Sequence, residues 1–173
     1  MITVRIRPIA AEDLAIVEER IAFDWAAPEK HSERFTRQEK GEAVYLVAWN
    51  GNLPVGHLLL KWRGTADDPL APDIEDCPDL EDLFVIPDYR SNGIGTRLLE
   101  CAEQTAVGKG YTRIGLGVGV DNPRARRLYL RLGFRETGTG RYETGGIYID
   151  RDGSEKTWKE VCVYLIKPLI KPM

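Results

Sequence analysis

The chain has 173 residues, of which 43% are hydrophobic and 29% are charged, a profile typical of one globular domain and not of a fibrous or disordered protein. Lys and Arg number 24 against 27 Asp and Glu, so the formal net charge of -3 argues against nucleic acid or an anionic membrane as the main partner. No apolar run approaches the roughly 18 residues of a membrane-spanning helix, and the three cysteines form no Cys-x-x-Cys pair. We therefore expect a single cytoplasmic domain over residues 1–173, without a metal site.

The first half of the chain alternates between apolar segments of strand and helix periodicity. Ser32 is a typical helix N-cap and Gly41 a typical helix end, and together they predict the bounds of a second helix. Asn50 and Gly51 favour a tight turn between two apolar runs, which predicts a hairpin. The predicted elements are a strand at 2–8, helices at 14–21 and 32–41, and hairpin strands at 44–49 and 53–62.

The second half opens with a polar, acidic segment at 64–79, for which we expect a long loop. Apolar spacing then alternates again between strand and helix, and Asn122-Pro123 is a typical helix start. The predicted elements are strands at 80–86 and 112–118, helices at 94–108 and 122–133, and later strands near 134, at 146–149 and at 161–166. This order predicts an α/β (α+β) fold, a mixed sheet covered by helices.

The most informative segment joins strand 80–86 to the helix that follows and reads Arg90-Ser91-Asn92-Gly93-Ile94-Gly95. Glycines let the backbone approach a ligand, and the unpaired amides of a helix start attract anions. Arg90 adds a positive side chain. Because the segment lacks the lysine of a Walker A loop and the three glycines of a dinucleotide fold, it predicts an anion site of another kind.

Three spaced motifs extend this segment, namely Val85-x-Pro87, Arg90-x-x-Gly93-x-Gly95 and Asn122-x-x-Ala125-x-x-x-Tyr129-x-x-x-Gly133-Phe134. Their order resembles the GNAT superfamily of acyl-CoA-dependent N-acetyltransferases. The opening Ile6-Arg7-Pro8 and Glu12-Asp13-Leu14 are similar to the first strand and helix of that family. The resemblance covers residues 2–134 and implies a mostly antiparallel sheet of six or seven strands, with a splay between the fourth and fifth and about four flanking helices.

The resemblance also implies a cofactor, acetyl-CoA, and the residues that bind it. The amides of Phe84 and Val85 would bind the pantetheine arm and the thioester carbonyl, and the helix start would bind the pyrophosphate. The cofactor-binding residues implied are Phe84, Val85, Arg90, Ser91, Asn92, Gly93, Ile94, Gly95, Thr96 and Asn122. Tyr129 matches the residue that commonly protonates the leaving thiolate. Asn122 and Tyr129 lie two helical turns apart, so both can face one cleft.

The general base is expected on strand 80–86, where such enzymes often carry an acidic residue. Glu81 is the first choice and Asp82 is its rival. Because successive strand residues point to opposite faces, only one of them should face the acceptor. A base on the following strand is excluded, since that strand carries glycines at 115, 117 and 119. Without either carboxylate, bulk water would take the proton.

The motifs leave the acceptor open, because fold and cofactor are shared across many acceptors. Four aspartates of the acidic segment suggest a cationic acceptor such as an aminoglycoside, a polyamine or a basic peptide, against a merely solvated loop: Asp67, Asp68, Asp73 and Asp76. Trp25 and Trp62 either line the acceptor pocket or belong to the core. His57 is interpreted as a packed or exposed histidine and not as a catalyst.

The sequence therefore predicts an N-acetyltransferase that moves an acetyl group from acetyl-CoA to a primary amine by direct attack in a ternary complex. The long segment 141–158 is compatible with a homodimer through the C-terminal strands. Two alternatives stay open: a non-catalytic module of the same fold that senses acyl-CoA, and an unrelated nucleotide-binding α/β protein.

Overall fold

The computed structural model describes residues 2–23, 25–63 and 74–170 and arranges them as a seven-stranded sheet flanked by four α-helices. The elements are β1 (Arg5–Pro8), α1 (Leu14–Arg20), α2 (Glu29–Glu39), β2 (Ala43–Asn50), β3 (Leu53–Lys61), β4 (Asp79–Val85), α3 (Ile94–Gly108), β5 (Arg113–Gly119), α4 (Pro123–Arg131), β6 (Arg135–Ile149) and β7 (Glu155–Pro168). The strand order is β1-β2-β3-β4-β5-β7-β6. Among the described strands only β4 and β5 pair in parallel, so the predicted mixed, mostly antiparallel sheet is confirmed.

Alternate residues of the central strands build a separate apolar cluster on each face of the sheet. Leu46 of β2 and Leu58 of β3 pack with Leu98 of α3, and we call this side the α3 face. Tyr45 of β2 and Leu59 of β3 pack on the other side, together with residues of α1, and we call it the α1–α2 face. The period of two thus places helices on both faces.

The hairpin and the two later helices confirm the local sequence signals. Asn50 and Gly51 lie at the turn between β2 and β3, and Gly51 adopts a positive φ of 60°. Asn122 caps α4, because its Oδ1 accepts a hydrogen bond from the Ala125 amide at 3.1 Å.

None of the helices in the described ranges is long and apolar enough to cross a membrane.

Two element predictions were wrong. The second helix begins at Glu29, and Ser32 lies inside it, where its hydroxyl donates to Glu18 at 2.7 Å instead of capping the helix. The separate strands expected near 134 and at 146–149 are one long strand, β6. Its antiparallel pairing with β7, unbroken from Arg141 to Ile149, satisfies the backbone even where the ribbon is exposed to solvent. Of the predicted acidic loop, 64–73 lies outside the described residues, and Asp79 belongs to β4.

The fourth and fifth strands diverge soon after they meet. Their parallel register consists of two pairs, Asp79 with Gly115 and Leu80 with Leu116. β4 then continues to Val85 along β3 alone, while β5 continues along β7. The implied splay between these strands is therefore confirmed, and it leaves one edge of β4 open.

Candidate active site

A β-bulge at Asp82 changes the direction of side chains in β4. The register shifts by one residue between His57 and Leu59 of β3, and Asp82 adopts a positive φ of 58°. Glu81 lies opposite Leu59, and Phe84 lies opposite His57. Without the extra residue Glu81 and Phe84 would point to opposite faces, but with it both lie on the α1–α2 face.

Asp82 also turns towards this face, where its carboxylate lies 2.7 Å from the Arg34 guanidinium of α2. The expectation that Glu81 and Asp82 point to opposite faces of the sheet was therefore wrong. Strict alternation holds for a regular strand, and the bulge interrupts it between these two residues.

The open edge of β4 presents a backbone amide. The Ile86 amide donates to the Val55 carbonyl of β3 at 2.8 Å. Because consecutive amides of a strand point in opposite directions within the sheet, the Val85 amide points away from β3, towards the gap left by β5. The same alternation directs the Phe84 amide towards β3, so this amide is not free for the pantetheine arm, contrary to expectation. The Phe84 ring packs against His57, with centroids 5.4 Å apart.

The loop before α3 exposes the first amides of that helix. Gly93 and Ser91 adopt positive φ angles of 77° and 64°, and no side chain caps the helix. A Cβ at Gly93 would meet no atom within 4 Å, so the space in front of the helix start is open. Unpaired amides at the positive end of a helix dipole suit the pyrophosphate of CoA.

Side chains of the same loop fix its shape. Arg90 donates from Nε to the Val85 carbonyl at 2.8 Å and stacks over the Phe84 ring. Asn92 donates from Nδ2 to two loop carbonyls at 3.1 Å each. Ile94 is buried in the cluster on the α3 face, so only its backbone is available to a ligand. Gly95 and Thr96 follow in the first turn of α3, where both are partly exposed.

Tyr129 lies on α4, seven residues after the helix cap Asn122. Its ring packs edge-on against Phe134, with centroids 5.8 Å apart. Burial raises the pKa of the Tyr129 hydroxyl, so the group is protonated at neutral pH. It can therefore serve as a proton donor.

Glu81 belongs to a row of charged and polar side chains that leads into the sheet. Lys61 places its ammonium 3.4 Å from Glu81 and 3.2 Å from Asp79. Tyr164 of β7 donates its hydroxyl to Asp79 at 2.9 Å. Burial raises the pKa of Asp79 to about 6, although the Lys61 charge opposes this shift. Glu81 is the solvent-exposed end of this row of side chains.

A second set of polar groups is buried between α2 and the sheet. His31 of α2 donates from Nε2 to the Ile21 carbonyl at 2.7 Å, which leaves Nδ1 to accept from the Tyr45 hydroxyl at 2.8 Å. Arg34 is 2% exposed and stacks over the rings of Phe23 and Tyr45. We call His31, Arg34, Tyr45, His57 and Asp82 the buried polar cluster.

Sequence reasoning missed this cluster, because it interpreted His57 as an ordinary packed histidine. Burial, together with the nearby Arg34 charge, lowers the pKa of His57 well below its ordinary value of 6.5, so the ring is neutral. One signal was present in the sequence of α2. Phe35 is its single apolar residue, so the face that α2 turns to the sheet had to contain polar groups such as His31 and Arg34.

A cavity of about 50 Å³ lies beside the buried polar cluster. Residues of the α1–α2 connection and of the two central strands line it: Ile21, Ala22, Phe23, Trp25, His57, Asp82 and Phe84. Trp25 thus lines this cavity, and its place at an acceptor pocket stays a prediction. Trp62 instead packs in the core of the α3 face, against Tyr111.

Comparison with known proteins decides the family. A family model described as the acetyltransferase (GNAT) family matches residues 12–134, which include the open loop before α3 and all of α4. The chain belongs to the GNAT acetyltransferase family. The resemblance seen in the sequence motifs is therefore confirmed.

Individual relatives agree with this assignment. An uncharacterized N-acetyltransferase of Methanocaldococcus jannaschii is 43% identical over 58 residues, which cover 34% of this chain and 26% of that protein. A thialysine N-epsilon-acetyltransferase of Mus musculus is 39% identical over 57 residues, which cover 33% and 34%. The chain thus spans about a third or less of the length of these relatives. Both relatives carry the name of an N-acetyltransferase.

A solved structure shares the fold over nearly the whole chain. The PaiA N-acetyltransferase of Thermoplasma acidophilum, in complex with coenzyme A, has a TM-score of 0.63 at 18% identity. The alignment covers 96% of this chain and 99% of that chain. No group of three or more His, Cys, Asp or Glu side chains in the described part of the chain could hold a metal ion.

Proposed function

We propose that the protein transfers the acetyl group of acetyl-CoA to a primary amine in a ternary complex. The observation that carries this proposal is the open edge of β4, where the Val85 amide points into the gap left by β5. An amide in that position can donate to the thioester oxygen as negative charge develops on it. The related structure with coenzyme A supports the choice of cofactor.

The cofactor supplies an activated acyl carbon, and the chain supplies the groups that hold it. The amides from Arg90 to Gly95, with Thr96 in the first turn of α3, bind the pyrophosphate. Asn122 at the start of α4 contacts the pantetheine or phosphate portion through Nδ2, since its Oδ1 caps the helix. A net charge of -3 does not oppose this binding, because backbone amides provide the positive potential locally.

The reaction forms one bond and breaks another. The amine lone pair attacks the acyl carbon, the new C–N bond forms, and the C–S bond breaks with its electron pair on sulfur. Tyr129 gives its proton to the thiolate, and Glu81 accepts a proton from the attacking nitrogen, directly or through water. The attack needs the neutral amine, because a protonated nitrogen has no lone pair to donate.

A primary amine at the end of a chain is the acceptor that one relative supports. The relative from Mus musculus carries the N-epsilon position of thialysine in its name. A side-chain amine of that kind is unhindered and can reach β4 from the α1–α2 face. The similarity covers a third of this chain, so it supports the type of nucleophile and not a particular molecule.

The role of Glu81 is tested by the pH dependence of turnover. Glu81→Gln is expected to lower kcat about tenfold or more and to remove the limb of the pH–rate profile that reports the base. Glu100→Gln, an exposed carboxylate on α3, is the matched control and should keep the wild-type profile. An unchanged profile in Glu81→Gln would show that Glu81 is not the base and would leave Asp82 or water to take the proton.

A further inference from the structure

The bulge in β4 decides which backbone amide faces the gap left by β5. The Val55 carbonyl of β3 accepts from the Ile86 amide at 2.8 Å, so Val55 directs its backbone groups towards β4. The register before the bulge, which places Glu81 opposite Leu59, would place Val85 opposite Val55 if it continued. The Val85 amide would then bond to β3. The one extra residue of the bulge therefore turns this amide away from β3 and towards the gap.

The conformation of the bulge is unfavourable for the residue that adopts it. Asp82 and Leu83 both lie opposite Leu58, and Asp82 has a positive φ of 58°. Aspartate reaches this left-handed region more readily than most residues but less readily than glycine, which bulges with a left-handed residue usually carry. The bulge therefore needs a contact that holds Asp82 in place.

Arg34 of α2 supplies that contact. Its guanidinium lies 2.7 Å from the Asp82 carboxylate, and its side chain is 3% exposed. The rings of Phe23 and Tyr45 fix the guanidinium, whose carbon lies 5.1 Å and 5.3 Å from their centroids. An ion pair shielded from water is stronger than one at the surface. Arg34 therefore holds the Asp82 side chain on the α1–α2 face.

Stability alone does not account for a charge at this position. The Nε and Nη1 atoms of Arg34 are buried and have no hydrogen bond among the described residues. A buried guanidinium with incomplete partners is unfavourable, and apolar side chains of similar volume often replace buried ion pairs without loss of stability. Its Nη2 atom faces a carboxylate, and that carboxylate belongs to the bulged residue Asp82. The arginine is thus directed at the geometry of β4.

We propose that Arg34 is a positioning residue: its ion pair with Asp82 keeps β4 bulged, and the bulge aims the Val85 amide at the thioester oxygen. This proposal rests on the acetyl transfer proposed above. In this role Arg34 touches neither the cofactor nor the acceptor and acts through the backbone of β4. Because α2 carries the arginine, the packing of α2 on the sheet sets the position of the oxyanion donor.

Arg34→Met removes the ion pair and keeps an unbranched side chain between the two rings. Loss of an oxyanion donor lowers kcat about 100-fold or more, so its displacement should lower kcat at least about tenfold, with n-pentylamine, an unbranched primary amine, as acceptor. KM for acetyl-CoA should stay within about twofold. Arg37→Met, which removes an exposed arginine paired with Glu42 on the same side of α2, is the matched control and should keep the wild-type kcat. A wild-type kcat in Arg34→Met would overturn the proposal.

Asp82→Gly, added to Arg34→Met, tests whether the arginine acts through the backbone. Glycine adopts a positive φ without strain, so the bulge no longer needs an ion pair to hold it. The double variant also carries no unpaired buried charge, so the fold should persist. We expect its kcat to recover to within about threefold of the wild type, although it has lost both charged groups. A double variant as slow as Arg34→Met would overturn the proposal.

Hydrogen exchange of single amides, followed by NMR, reports the bulge without any catalysis. In Arg34→Met the Ile86 amide should lose its bond to Val55 and exchange about tenfold faster or more, and the double variant should restore its protection. The Val120 amide, which bonds to the Val161 carbonyl at 2.9 Å far from α2, is the reference for global unfolding and should not change.

This measurement separates failure of the proposal from failure of the proposed function. If Ile86 responds as expected but no amine is acetylated by the wild type, Arg34 holds the bulge and the acetyl transfer is wrong. If amines are acetylated but Ile86 keeps its protection in Arg34→Met, or Ile86 and Val120 lose protection equally, the positioning role of Arg34 is wrong.

Discussion

Tyr129 is the residue whose chemistry is simplest to isolate. Its hydroxyl is protonated at neutral pH, because burial raises its pKa. If it protonates the thiolate, Tyr129→Phe should lower kcat about 100-fold and leave KM for acetyl-CoA within about twofold. Steady-state kinetics measures both. Tyr111→Phe, which keeps the ring stacked on Trp62, is the control; equal effects of the two variants would make Tyr129 a packing residue.

Asp79 should give the fold a measurable pH dependence. Burial raises its pKa to about 6 from an ordinary value of 3.8, so its contribution to stability is complete below pH 3.8 and is lost as the pH rises through 6. Asparagine mimics the protonated acid. Between about pH 4 and pH 7, the free energy of unfolding should fall by roughly 2–3 kcal/mol more in the wild type than in Asp79→Asn.

Urea unfolding of both proteins across this range measures the difference. A constant difference between wild type and Asp79→Asn at every pH would show that Asp79 does not titrate there. The comparison cancels the effect of other groups, among them Asp13, whose pKa the Arg7 hydrogen bond lowers.

At the scale of single residues, the sequence predicts local motifs such as a helix cap, but it does not predict which residues are buried together. Asn122 lies where its spacing predicted, because a helix cap is a local property. Arg34 and His57 could not be assigned in this way. Their roles depend on which residues α2 and β3 bring together across the α1–α2 face, and that is a property of tertiary packing.

At the scale of elements, Gly56 of β3 controls how closely the bulged strand can approach. A Cβ at Gly56 would lie 2.7 Å from the Phe84 carbonyl oxygen, so Gly56→Ala must push β4 outward. We expect a loss of about 1–3 kcal/mol in the free energy of unfolding and a lower kcat. The loss of stability follows from the displacement of β4, and the lower kcat follows because the displaced strand carries Val85.

Gly108 provides the control for this substitution. It lies in the last turn of α3, and a Cβ there would meet no atom within 4 Å. Gly108→Ala should raise the free energy of unfolding by up to about 1 kcal/mol and leave turnover unchanged. Chemical denaturation and kinetics are compared for both variants; a Gly56→Ala protein with wild-type turnover would contradict the control of β4 by Gly56.

Regular elements were predictable where local signals are strong, and irregular ones were not. The turn at Asn50-Gly51 follows from backbone preferences of those two residues. The bulge at Asp82 does not, since aspartate takes a positive φ here only because β3 pairing and Arg34 hold it there. The length of β6 also escaped prediction, because its exposed residues carry no clear alternation.

At the scale of the whole molecule, the proposed approach of cofactor and acceptor from opposite faces of one sheet favours direct transfer. The cysteines give no support for a covalent route: burial raises the pKa of Cys77 to about 11 and also raises that of Cys101. Cys162 is 3% exposed. We therefore expect no acetylated enzyme when the protein is incubated with acetyl-CoA alone, as checked by intact mass spectrometry. A stable gain of one acetyl group on a cysteine would contradict this.

The most direct test of the account is amine-dependent release of free CoA thiol from acetyl-CoA, with the product identified by mass spectrometry. With n-pentylamine as acceptor, we predict one thiol released for each N-acetylpentylamine formed, and release only at the slow background rate without amine. Absence of amine-dependent thiol release across primary amines, polyamines, amino acids and peptides, in a folded protein that binds CoA, would contradict the account.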